Sequence, residues 1–221
     1  MNKIEVYSSE ENGKLVLGVK VQDKTASLQD LLDIWQPLCD DTLIHKEYAP
    51  GFHNVCKGCS VNCCDTAYVI PDIIAFKKIA RQLELDHTEF IHRYFHEEKR
   101  LAGLLRLEPN PCIFLKQKIC SIYELRSLIC RFYICTPLQG ETEELIYKIS
   151  WAGGAATQVY AESKGLLDKN PAASLSSFDL LFYNLLEEYR NSQMVQAFLQ
   201  ASDYRDIPLG LFLPESDYVK E

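Results

Sequence analysis

Apolar and polar positions alternate from the start of the chain. KIEVYSS and KLVLGVKVQ flank ENG, and the Asn12-Gly13 pair is a strong turn signal, so a small hairpin is predicted. At SLQDLLDIW the spacing becomes helical, with Ser27 placed as a cap and Asp30 as its first-turn acid; Pro37 is expected to end that helix. Residues 38–70 lose periodicity and contain Gly51 and Gly58. PDIIAFKKIARQLEL then puts Ile73, Phe76, Ala80 and Leu83 on one stripe and Lys77, Lys78 and Arg81 toward water. DHTEFIHRYFHEEKR predicts a second helix, capped by Asp86 with Glu89 at the third position. SIYE at 121–124 fits a capping box, which places Cys120 just before a short helix and Cys130 near or beyond its end. Two straight turns would hold those thiols about 12–15 Å apart, so sharing one site requires the chain to bend back.

Beyond Gly140 the pattern is helical throughout: EELIYKISWAG, then AATQVYAESKG closed by Gly165, then SSFDLLFYNLLEEYR running toward QMVQAFLQA. Phe178, Leu181, Phe182, Leu185 and Leu186 make a stripe that serves as core or as a partner surface. The fold class expected is mainly α: an irregular cysteine-rich metal-binding core packed on amphipathic helices, with a small N-terminal β-hairpin. Residues 1–37 read as hairpin and helix, 38–138 as the cysteine-rich region and 139–221 as a C-terminal helical region, together one compact unit.

Composition narrows the function classes. The 221 residues are 47% hydrophobic and 24% charged, enough to bury a sizeable core. A net charge of -8 disfavours nucleic acid and anionic membrane surfaces as partners. No secretory signal and no apolar run of about 18 residues is present, so a cytoplasmic chain with no membrane partner is expected. WAGGAATQ lacks a G-x-G-x-x-G pattern, and neither a P-loop nor a G-x-S-x-G elbow occurs.

A reducing compartment changes the meaning of the nine cysteines. Lasting disulfides are disfavoured there and an odd number cannot all pair, so clustered thiols read as metal ligands. CKGCSVNCC carries Cys56 and Cys59 two residues apart, a spacing that lets a tight turn aim both thiolates at one ion. Cys63 and Cys64 are adjacent, and one of them is expected to join that site. A second group, Cys112, Cys120 and Cys130, would fasten the 50–65 loop to the 112–130 segment, the metal supplying the order that a loop with few packing residues lacks. Thiolate sites of this kind take zinc, iron or an iron–sulfur cluster. Arg126 and Arg131, set in apolar sequence, are candidates to stabilise deprotonated sulfur. Cys39 and Cys135 read equally as small buried hydrophobes. His53 is a spare ligand near Cys56, whereas His92 and His96, four apart near Glu97, read mainly as a solvated helix face.

These residues also carry a resemblance. CIFLKQKICSIYELRSLICRFY resembles the C-P-F-L…C-x-I-Y-E-x-R-P-x-x-C-R-x-F-P core of the YkgJ-type cysteine cluster family, described as a zinc- or iron-chelating domain, and CKGCSVNCC resembles its preceding C-x-x-C…C-C element. The likeness spans about residues 53–135. It implies chelation by Cys56, Cys59, Cys63 or Cys64, Cys112, Cys120 and Cys130, with Tyr123, Glu124, Arg126 and Arg131 as neighbours. Ile113, Ser127 and Tyr133 stand where the family has proline, which alters backbone stiffness more than ligand chemistry. The function expected is a cysteine-ligated zinc- or iron-binding protein. The alternatives are an iron–sulfur or iron-dependent enzyme of unknown substrate and a helical interaction module whose C-terminal helices take a protein partner or self-associate.

Overall fold

The computed structural model describes residues 3–48, 63–65, 68–167 and 175–214. It is mainly helical, as expected. β1 (Ile4–Glu11) and β2 (Lys14–Val21) pair antiparallel from Ile4 opposite Val21 to Glu11 opposite Lys14. The turn works because Asn12 and Gly13 both take left-handed backbone, φ 52° and 72°. The other edge of β2 is also in use: Leu17 N–H donates to Pro137 O at 3.1 Å, and Gln139 N–H donates to Leu17 O at 2.9 Å.

α1 (Leu28–Asp40) starts as expected, with Ser27 and Asp30 forming a reciprocal capping box. Pro37 does not end it; the helix continues to Asp40. Proline in a helix interior forfeits a backbone bond and crowds the preceding turn. Here buried anchors on either side outweigh that: Trp35 donates its Nε1–H to Phe132 O at 3.1 Å, and Cys39 Sγ lies 3.4 Å from Arg131 O. α2 (Thr42–Tyr48) follows, so the start of the 38–70 stretch is helical rather than irregular.

α3 (Ile73–Gln82) buries Ile73, Phe76 and Ala80. α4 (His87–Tyr94) is capped by Asp86, whose carboxylate accepts from Glu89 N–H at 2.8 Å. The predicted helix is broken at Phe95, and α5 (Glu97–Leu101) begins afresh after His96. The break turns the Phe95 ring into the Phe76–Phe90 cluster and lets its backbone bridge to Leu107. β3 (Leu115–Lys116) and β4 (Ile119–Cys120) form a second, unforeseen hairpin, turning on Gln117 and Lys118 at φ 51° and 63°.

The helix expected after SIYE is also divided. Tyr123–Leu125 is one 3-10 turn, Arg126 and Ser127 are extended, and α6 (Leu128–Phe132) holds Cys130 in its middle. This supplies the bend that a shared site for Cys120 and Cys130 demands.

α7 (Gly140–Ser163) is one 24-residue helix where two were expected. Glycine costs a helix about 1 kcal/mol without stopping it, and Gly153 and Gly154 lie where α7 is closely approached by the 70–72 segment and α9. Residues 152–158 are buried all round, which makes α7 the central helix, contacting α3, α6 and the two helices that follow. α8 (Ser177–Tyr189) opens with a Ser176–Asp179 capping box. Its Asp179 also takes the Lys99 ammonium at 2.5 Å, tying α8 to α5. α9 (Gln193–Gln200) and two 3-10 turns, Tyr204–Asp206 and Leu209–Phe212, close the core. The expected α8 stripe divides: Phe182 and Leu186 are buried, Leu185 is half-buried, and Phe178 and Leu181 are exposed. Among the described residues no helix is long and apolar enough to cross a membrane.

Candidate metal centre

The thiols come from four short elements, each fixed by its own local chemistry. Cys63 and Cys64 occupy a 3-10 turn, Cys63–Asp65. Cys112 is tied to it directly, its N–H donating to Cys64 O at 2.8 Å, while Leu115 N–H donates back to Cys112 O at 2.8 Å. Cys120 is held by the β3–β4 hairpin opposite Leu115. Cys130 lies in α6, where the Ser127 hydroxyl approaches its Sγ at 3.6 Å. Cys112, Cys120 and Cys130 are free thiols, half-buried against the core.

Charge on one of these sulfurs bears on the protonation of the others. Burial pushes the Cys130 thiol up to about 12, with negative charge on Cys112 and Cys64 raising it further. Burial also raises Cys120, with added repulsion from Cys64 and Cys112, and it raises Cys112, again with Cys64 contributing. Cys64 thus bears on all three. Opposing these effects, Arg126 lowers both Cys120 and Cys130. Its guanidinium lies 3.6 Å from the Tyr123 ring centroid, and its Nε–H donates to Tyr123 O at 3.0 Å. Arg131 does different work: its Nε–H donates to Gln36, and its charge acts on Asp72 and Tyr204.

Four thiols whose negative forms repel one another fit a soft dication, which would replace their protons and turn mutual repulsion into attraction. Among the described residues, no three Cys, His, Asp or Glu side chains already stand at metal-holding geometry. Cys56 and Cys59, the CKGC pair, lie outside the described residues, as does His53.

The remaining sequence candidates fall elsewhere. Cys39 is buried, its sulfur directed at the Arg131 and Tyr133 carbonyl oxygens, which suits a core position. His92 is exposed on α4 while His96 stands just before α5, so the two do not share a helix. His87 Nδ1 pairs with the Tyr160 hydroxyl at 2.8 Å. Asp72 was missed. It is fully buried and hydrogen-bonded to the start of the helix carrying Cys130, and its signal was available: an aspartate after proline, directly before an apolar helical run.

Comparison with known proteins agrees on the segment. Residues 55–151 match the family model CxxCxxCC, described as "Putative zinc- or iron-chelating domain". An uncharacterized protein of Methanocaldococcus jannaschii is 37% identical over 86 residues, which cover 38% of this chain and 46% of that protein. The matched stretch therefore spans less than half of the relative's length. No solved structure matches the chain. Over residues 55–151, less than half of its length, the chain is thus similar to a family described for zinc or iron chelation.

Proposed function

We propose that the chain binds zinc or iron through thiolates drawn from Cys56, Cys59, Cys63, Cys64, Cys112, Cys120 and Cys130. The metal ties the 50–65 segment to the 112–130 segment. The observation that carries this reading is the Cys112 N–H to Cys64 O bond at 2.8 Å, which joins the two cysteine-bearing segments and leaves Cys120 and Cys130 within electrostatic reach of both thiols. Arg126 offsets the excess negative charge that a thiolate-rich centre carries, and a reducing, cytoplasmic compartment keeps the sulfurs available.

Thiolate ligation of a structural ion contributes on the order of 10 kcal/mol to folding, so the metal would serve largely as a fastener. A second reading, an iron–sulfur or iron-dependent enzyme, draws on the seven candidate sulfurs, which exceed the four that one structural zinc takes.

Elemental analysis of protein prepared without oxygen, with an optical spectrum, tests both. Stoichiometric zinc in colourless protein supports the fastener; brown protein with acid-labile sulfide supports the cluster. Replacing Cys112, Cys120 or Cys130 by serine should lower metal content in either case. Fully reduced protein that takes up neither zinc nor iron refutes chelation.

A further inference from the structure

Asp72 contributes no thiolate and lies outside any helix interior, yet three elements end on its carboxylate. Oδ1 accepts from Ala75 N–H and from the Tyr204 hydroxyl, each at 3.0 Å; Oδ2 accepts from Leu128 N–H at 2.9 Å. Ala75 belongs to the first turn of α3, and Leu128 is the first residue of α6, two before Cys130. Ser127 stands at the N-cap of α6 but makes no capping bond, its hydroxyl turning toward Cys130 Sγ instead. The start of α6 is therefore fixed by a carboxylate 56 positions away in sequence.

The site has been built around this group. Asp72 is 1% exposed, and a Cβ added at Gly153 would stand 2.6 Å from Asp72 Cβ, so α7 approaches it through a glycine. The neighbouring Thr157 hydroxyl donates to Pro71 O at 2.6 Å, holding the residue before it. Burying a carboxylate is costly, and apolar contact would join three elements more cheaply. What a carboxylate adds is direction: its oxygens fix the line of the first α6 N–H, and with it the helix rotation that decides where Cys130 points.

We propose that Asp72 is a positioning residue of the thiolate centre, holding α6 so that Cys130 faces Cys64, Cys112 and Cys120, with Tyr204 anchoring the carboxylate from the far end of the fold. As a statement about metal binding, this rests on the chelation reading above. Asp72→Asn sets an amide N–H against at least one of the present donors, and Tyr204→Phe removes one donor with little change of shape. Leu186→Ala, a buried truncation on α8, controls for lost stability alone.

Zinc affinity, measured by competition with a chromogenic chelator, should weaken about tenfold or more in Asp72→Asn, as loss of a ligand-orienting partner typically does. Tyr204→Phe should cost about threefold, and Leu186→Ala should stay within about twofold despite a lower Tm. A second readout needs no metal: iodoacetamide labelling of the metal-free protein, resolved by peptide mass. Cys130 should label about tenfold faster in Asp72→Asn than in wild type or in Leu186→Ala, because only the first releases α6. Zinc affinity and Cys130 labelling both unchanged in Asp72→Asn overturn the positioning role. So does an affinity loss that Leu186→Ala reproduces at equal Tm. Wild-type protein that takes up neither zinc nor iron sinks the chelation reading instead, and the labelling rate still decides whether Asp72 sets the place of that thiol.

Discussion

Two adjacent glycines on α7 should respond in opposite senses to the same substitution. In Gly153→Ala the new Cβ would lie 2.6 Å from Asp72 Cβ and 3.3 Å from Phe198 Cζ. Carbon atoms in contact settle at about 3.5–4.0 Å, so the first overlap is close to 1 Å. Asp72 cannot retreat freely, because its oxygens are engaged at 2.9 to 3.0 Å by Leu128, Ala75 and Tyr204. Alanine returns about 1 kcal/mol of helix propensity, overpacking costs about 1–3 kcal/mol, and a weakened buried acceptor costs about 1–3 kcal/mol more. The net expectation is a loss of about 1–5 kcal/mol. In Gly154→Ala the nearest atom is Ile70 O at 3.5 Å, an ordinary contact, so the propensity gain of about 0.5–1 kcal/mol survives. Urea denaturation followed by circular dichroism, with equal m-values as a check, measures both. A Gly153→Ala protein as stable as Gly154→Ala would refute the close approach of α7 to Asp72, and with it the reason for glycine there.

Two further predictions concern charge. Lys99→Met leaves the fully buried Asp179 without its ammonium partner and should cost about 2–4 kcal/mol at neutral pH, since breaking a buried pair strands one charge. Part of that loss should be recovered on acidification, as Asp179 protonates; thermal melts at pH 7 and pH 4 check this, and equal losses at both would contradict it. In the wild type, the Ser27 backbone N–H holds Asp30 below its usual value, and Lys78 does the same for Asp203. Both carboxylates therefore contribute stability that is complete above an unfolded pKa near 3.8 and disappears as pH falls through their folded values. Lys78→Met should flatten the acid limb of a pH–stability curve without altering its neutral plateau by more than about 1 kcal/mol.

Local signals were readable where one segment decides its own conformation. Asn12-Gly13 fixes a turn by itself, and Ser27 with Asp30, or Asp86 with the Glu89 N–H, completes a cap within four residues. What the pattern missed depends on distant partners. Pro37 is carried through α1 because Trp35 and Cys39 find Phe132 and Arg131 more than 90 positions away. The division at Arg126 and Ser127 goes with Asp72 capturing Leu128 N–H, and Gly153 lies where α7 packs against that same residue. Spacing marked the cysteines as two groups, 56–64 and 112–130. The bend at Arg126 and Ser127 that brings Cys130 back toward Cys120 was not legible, because no glycine or proline in that stretch announces it.

The pairing of Ser27 with Pro208 has a consequence for synthesis. Leu28 N–H donates to Ile207 O and Leu209 N–H to Ala26 O, so the entry to α1 is closed by residues translated roughly 180 positions later. Tyr204, which completes the Asp72 contacts, arrives in the same late stretch. Domains fold as units once their long-range partners are available. On the ribosome, then, the sulfur-bearing segments are made and exposed well before the scaffold around them can lock. That interval is when an ion could be loaded without first opening a finished protein.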